Sequence, residues 1–273
     1  QNEAITGLES IAKQRETDRS ALEDLQRTQL ERAQLSFSET QQLREAIERQ
    51  RQQDALMKAF NETTKKSLES QKTDTPNDPM NEALKKRIEE QERALDNNEK
   101  LRDEIEKYAE KLGDLEMSDR LEQLSQQQQN AQKSMAQVLE LTKRYYVSQK
   151  AAQIGKSLEQ LAEQQEELSE AGVSEQSAKS QDDLNRSFED LEREMDALEK
   201  ENKALKKPFD MKRDRATEDS VEKNQQSALG QLMQERSAKT PQSKAAAGMR
   251  KLSQTMNQLP MGGGGQQISE DTT

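Results

Sequence analysis

Carboxylates and amides are the side chains with chemical potential in this chain, and their spacing decides what they can do. Asp74, Asn77, Asp78, Asn81 and Glu82 bring together hard oxygen donors of the kind that hold Ca²⁺. The spacing is not that of an EF-hand loop and the turn glycine is missing, so linker and helix-capping roles are expected instead. Glu and Asp recur along the whole chain. Acid–base work needs burial or a close neighbour to move a pKa, and a carboxylate on the outer face of a thin helix has neither. Gly262 to Gly265 are not followed by Lys-Ser/Thr, so they read as a linker and not as a phosphate loop. The chain has no His and no Cys. The commonest general base, the commonest transition-metal ligand and the thiolate nucleophile are therefore all missing. No catalytic, cofactor-binding or metal-binding residue is expected, and the chain does not read as an enzyme.

The stretch from Lys206 to Lys251 is locally basic. Eleven Lys/Arg face six Asp/Glu, a net +5 within a chain of net −11. Phe209 is the one aromatic residue among these bases, too few to interleave them as stacking on nucleic acid would need. The acidic remainder is repelled by phosphates. Pairing with acidic helices of the same molecule is the simpler use, and no nucleic-acid partner is expected.

Composition limits the elements that could position any of these groups. Charged residues make up 35% of the 273 and apolar ones 30%, aromatics only 3%. An ordinary compact core needs more large apolar side chains than this. What remains is long helices that each bury a narrow stripe, or disorder. The stripes favour helices, and the expected class is all-α: elongated, long helices packed as antiparallel hairpins or coiled coil, with a disordered tail. Residues 1–72 read as one long N-terminal helix, with a phase slip around Leu30 to Phe37. TDTPNDP at 73–79 is a linker, because its two prolines and their polar neighbours favour a turn. Residues 80–207 read as coiled-coil helices broken near 113–118 and 170–181. In the first of them Leu84, Ile88, Gln91, Leu95 and Asn98 form a stripe that resumes, after one short step, at Leu101, Ile105, Tyr108 and Leu112. Residues 208–220 are a connector, 221–259 two short helices with Pro241 as the break between them, and 260–273 a flexible glycine-rich tail. No run is long and apolar enough to cross a bilayer.

The clearest heptad lies at 184–205. Leu184, Leu191, Leu198 and Leu205 recur every seven residues, with Phe188, Met195 and Asn202 between them. Placing the leucines at d puts Asn202 at an a position, where Asn fixes register in parallel dimers. The flanks oppose a homodimer, because Glu194 would face Glu199 of a second copy. A DNA-binding zipper also needs a continuous basic helix just before the leucines. Here that region is acidic and interrupted by Gly172. Packing inside the same chain is expected, with Lys85, Arg87, Arg102 and Lys111 as candidate basic flanks. Ala151 and Gly155, one turn apart, allow close approach of another helix.

LEREMDALEKENKALKKPFDM at 191–211, SKAAAGMRKLSQTMNQL at 243–259 and GGGGQQISED at 262–271 resemble a bacterial domain-of-unknown-function family of large, membrane-anchored coiled-coil envelope proteins. The resemblance covers roughly the C-terminal third. It implies an extracytoplasmic place in the cell envelope, with membrane contact only through segments outside this chain. The expected function is non-catalytic: a helical spacer or scaffold with protein partners. The alternative is a helical binding module, a chaperone-like clasp with Met249 to Met261 as its adaptable surface.

Overall fold

The computed structural model describes residues 2–32, 36–70, 79–108 and 114–258. Seven α-helices occupy them: α1 (Asn2–Arg32), α2 (Phe37–Ser70), α3 (Pro79–Tyr108), α4 (Asp114–Ala171), α5 (Glu175–Lys203), α6 (Arg215–Leu232) and α7 (Lys239–Gln258). No strand occurs among the described residues. No described helix is long and apolar enough to cross a membrane. The chain divides into two compact units, residues 1–143 and 144–273.

The first unit pairs α1, α2, α3 and the N-terminal half of α4 as antiparallel neighbours. Where the pattern suggested one helix over 1–72, the described residues form two, α1 and α2. The cause is a capping box at Ser36: its backbone N–H donates to Glu39 Oε2 (2.6 Å), and its Oγ accepts from Glu39 N–H (3.3 Å). Two apolar clusters hold the unit. Leu25, Leu43, Ile47, Leu101, Ile105, Leu121 and Leu124 form one, and Leu8, Ile11, Met57, Leu95 and Met135 the other. Register between α2 and α3 is written in charge. Arg51 reaches Asp103 and Glu106 (both 2.7 Å), Lys58 reaches Asp96 (2.9 Å) and Glu99 (3.0 Å), and Lys65 reaches Glu92. Each step of seven along α2 is matched by seven back along α3, which only an antiparallel pairing in this register allows.

The second unit pairs the C-terminal half of α4 with α5, α6 and α7. The α4–α5 break is shorter than expected. Gly172 takes φ of +80°, Ser174 donates its backbone N–H to Ser177 Oγ (3.1 Å), and α5 resumes at Glu175. The connector also lies earlier, because α5 ends at Lys203 and Asp214 caps α6, accepting from Thr217 N–H (3.0 Å). Pro241 does not separate the last two helices. It sits in the first turn of α7, where the missing N–H costs nothing. The expected tail, 260–273, lies outside the described residues.

Candidate functional site

The α5 heptad is buried along its whole length. Leu184, Phe188, Leu191, Met195, Leu198, Asn202 and Leu205 all face inward, Phe188, Met195 and Leu198 with no exposure at all. Its partners are helices of the same chain, and its acidic flank is answered inside its own unit. Lys150 reaches Glu201 (2.8 Å), Arg213 reaches Asp196 (3.1 Å), and Arg215 reaches Asp196 (2.8 Å) and Glu199 (3.1 Å). The basic residues proposed on α3 serve elsewhere: Arg87 pairs with Glu90, Lys85 with Glu82, and Arg102 is buried against Asp54. Lys111 lies outside the described residues. On the α3 stripe, Leu101 and Ile105 are core. The Tyr108 side chain and Leu112 fall outside what is described.

Asn202 has a different task from the one its a position suggested. Its Nδ2 donates to Phe209 O (2.9 Å) and its Oδ1 accepts from Phe209 N–H (2.8 Å). The amide closes the KKPFD turn by standing in for a backbone partner. Arg144 braces the same turn, donating to Lys207 O (2.8 Å) with its guanidinium 4.6 Å from the Phe209 ring centroid.

Four buried glutamines, one from each helix of the second unit, meet at its centre. Gln165 (α4) and Gln181 (α5) exchange two hydrogen bonds, at 2.8 and 2.9 Å. Gln242 (α7) donates to Gln181 Oε1 (3.0 Å). Gln225 (α6) lies 3.5 Å from Gln165 Oε1 and 3.4 Å from Leu184 O. All four are at most 2% exposed. A buried amide without a partner is costly, so this layer is favourable only when all four helices sit in one register.

Charge reinforces the α5–α6–α7 contacts. The buried Arg213–Glu218 pair joins through two parallel hydrogen bonds. Asp214 is held down to about 2, chiefly by Lys251 and then by Thr217. Asp196 is lowered, chiefly by the hydrogen bond from Arg215. Glu192 moves the other way: burial raises it first, and Glu218 and Glu222 add repulsion. The basic stretch thus pairs with acids of the same unit, and Arg250 extends this to Glu159 and Glu166 of α4. Close approach is visible at two glycines. A Cβ on Gly155 would run into the Asn257 amide oxygen, and one on Gly248 would lie 2.5 Å from Val221 Cγ2.

The first unit has a polar layer of another kind. Between its two apolar clusters, Arg15, Gln50, Gln53, Asp54, Asn98, Arg102, Gln128 and Gln132 line a cavity of about 20 Å³. Asp54 accepts from Arg15 with one oxygen and from Arg102 with the other. The sequence pattern places Gln91 and Asn98 on a stripe but does not reveal this layer. Hydrophilic residues at stripe positions were the available signal. Neither Gln50 nor Asp54 was recognised as one.

Of the oxygen-rich group at 74–82, Asn81 and Glu82 are described. Asn81 is buried and donates from Nδ2 to Leu68 O (3.2 Å), satisfying a carbonyl in the last turn of α2. No group of three or more acidic residues placed to hold a metal ion occurs among the described residues. Of the clasp surface foreseen at 249–261, Met249 and Met256 are buried in α7, Gln254 and Gln258 are exposed, and Met261 lies outside the described residues. Comparison with protein families, with curated proteins and with solved structures returns no match.

Proposed function

We propose that the chain is a non-catalytic helical scaffold or spacer, part of a larger bacterial envelope protein, with protein partners and with membrane contact only through segments outside this chain. The glutamine layer carries this reading. Four amides from four helices satisfy one another, an arrangement that fixes which helices pair and leaves the outer faces to water or partners. The envelope location rests on the sequence resemblance alone.

The test is affinity capture from a solubilised bacterial envelope extract at low and high salt. The folded chain is the bait and the heat-unfolded chain the control. A discrete partner held at high salt by the folded chain alone supports the scaffold. Equal recovery of many unfolded clients by both baits overturns it in favour of a clasp. Turnover of a defined substrate by the purified chain overturns it in favour of an enzyme.

A further inference from the structure

The two helical hairpins of the second unit, α4–α5 and α6–α7, are held differently within themselves and to each other. Helices α6 and α7 are joined at several levels. Their turn is closed by Glu235 N–H donating to Leu232 O and Arg236 N–H to Gln231 O (both 2.9 Å), with Glu235 at φ +55°. Further along, Gly248 lies so close to Val221 that a Cβ has no room. Beyond that, Lys251 of α7 donates to Asp214 Oδ2 (2.7 Å) and Thr217 Oγ1 (3.0 Å) at the start of α6.

Across the seam to α4–α5 the contacts are looser and wetter. In the glutamine layer, Gln165 and Gln181 hold each other inside α4–α5 at 2.8 and 2.9 Å. Gln225 of α6 reaches its two acceptors only at 3.5 and 3.4 Å, and Gln242 of α7 supplies the short bond, 3.0 Å. Arg250 of α7 bridges to Glu159 and Glu166 of α4, and Arg215 of α6 to Asp196 and Glu199 of α5. These two arginine side chains are 40% and 56% exposed, so salt screens their pairs. Buried Arg213 stays with α6 through Glu218 and reaches Asp196 at 3.1 Å. The apolar cluster at the tip is small: Ala228, Leu232 and Ala238, with Ala178 of α5 against them.

The connector supplies a pivot. Asn202 and Arg144 fix it as far as Phe209, and Asp214 belongs to α6 as its cap. Between these anchors the side chains of Asp210 and Lys212 are each 84% exposed. A few such residues can absorb the change in backbone angle that a swinging element needs.

We propose that α6–α7 is a lid that opens from α4–α5 as one body, pivoting at 210–212, and that ionic strength sets how often it opens. Closed, it helps to bury the α5 stripe of Phe188, Met195 and Leu198; open, it bares that stripe. The contacts that bind α6 to α7 travel with the lid. Among those given up are amides that water can satisfy and ion pairs that already face water. Contiguous units of this kind open at a lower free energy than the whole fold.

Hydrogen–deuterium exchange of the full chain at neutral pH, read by mass spectrometry, tests this. Released helices of 18 and 20 residues keep little protection without a core. Peptides of α6 and α7 should therefore exchange together, and faster than those of α5. Raising sodium chloride from about 0.01 M to about 0.15 M cuts the screening length from ~30 Å to ~8 Å. It should speed exchange of α6 and α7 by about twofold to fivefold and leave α5 unchanged. Arg250→Gln, a change at an exposed position, should reproduce that acceleration at low salt. Exchange of α5 at the same rate as α6 and α7 would mean global unfolding only and overturns the lid. Exchange of α6 and α7 that ignores both salt and Arg250→Gln overturns its ionic control.

Discussion

Gln181→Ala tests the central claim about the second unit. Gln181 takes part in four hydrogen bonds: two with Gln165, one to Asn185 and one from Gln242. Truncation leaves the Nε2 groups of Gln165 and Gln242 as buried donors with no acceptor. Each orphaned donor costs about 1–3 kcal/mol, so the pair costs about 2–6 kcal/mol before any term for lost packing. Against a typical total stability of about 5–15 kcal/mol this is a large fraction. Urea unfolding followed by far-UV circular dichroism should show a lower midpoint with an unchanged slope. Replacing Gln165, Gln181, Gln225 and Gln242 together by Leu should cost far less than the sum of the single changes, because no polar group is then left stranded. The fourfold variant should lose register specificity before it loses stability, seen as broadened amide resonances. A cost for Gln181→Ala under about 1 kcal/mol would refute the reasoning, because orphaned amides would then be finding water in a layer described as closed.

Four further substitutions have defined outcomes. Asn202→Leu should lower Tm, since it strands the Phe209 N–H and C=O. Were Asn202 instead the register residue of a dimer, the same change would raise stability and shift the mass seen by sedimentation. Glu192→Gln should stabilise the chain at neutral pH. Because the folded-state pKa of Glu192 is raised, its favourable contribution is present below the ordinary 4.5 and is lost as pH rises through the raised value. The Gln variant has no such loss, so the two unfolding curves should converge in acid and separate toward pH 7. Gly248→Ala should cost about 1–3 kcal/mol in chemical denaturation, because the new methyl meets a β-branched Val221 with little room to turn. Gly155→Ala should cost less, since there the obstacle is the movable end of Asn257.

The α5 stripe was legible because a seven-residue period in Leu, Phe and Met exists only to be buried, whatever covers it. The all-α class followed similarly from a high charge content combined with helical periodicity. The α1–α2 break was legible too, in the Ser-x-x-Glu signature at Ser36, but a phase slip there was read as an irregular helix. The ladder of Arg51, Lys58 and Lys65 against Glu106, Glu99 and Glu92 is periodic on both helices and could have fixed their pairing in advance.

The amides are where sequence reasoning stopped. A glutamine on a helix has the same local preference whether it faces water or a core. Nothing within a few residues of Gln165, Gln181, Gln225 or Gln242 reveals that the other three will be its partners. Their meeting depends on positions as far apart as 60 and 61 residues in the chain. Local sequence therefore determined the helices and the faces they would bury. Tertiary structure alone decided which polar groups meet between those faces, because a buried hydrogen bond is defined by its partner and the partner is supplied by another helix.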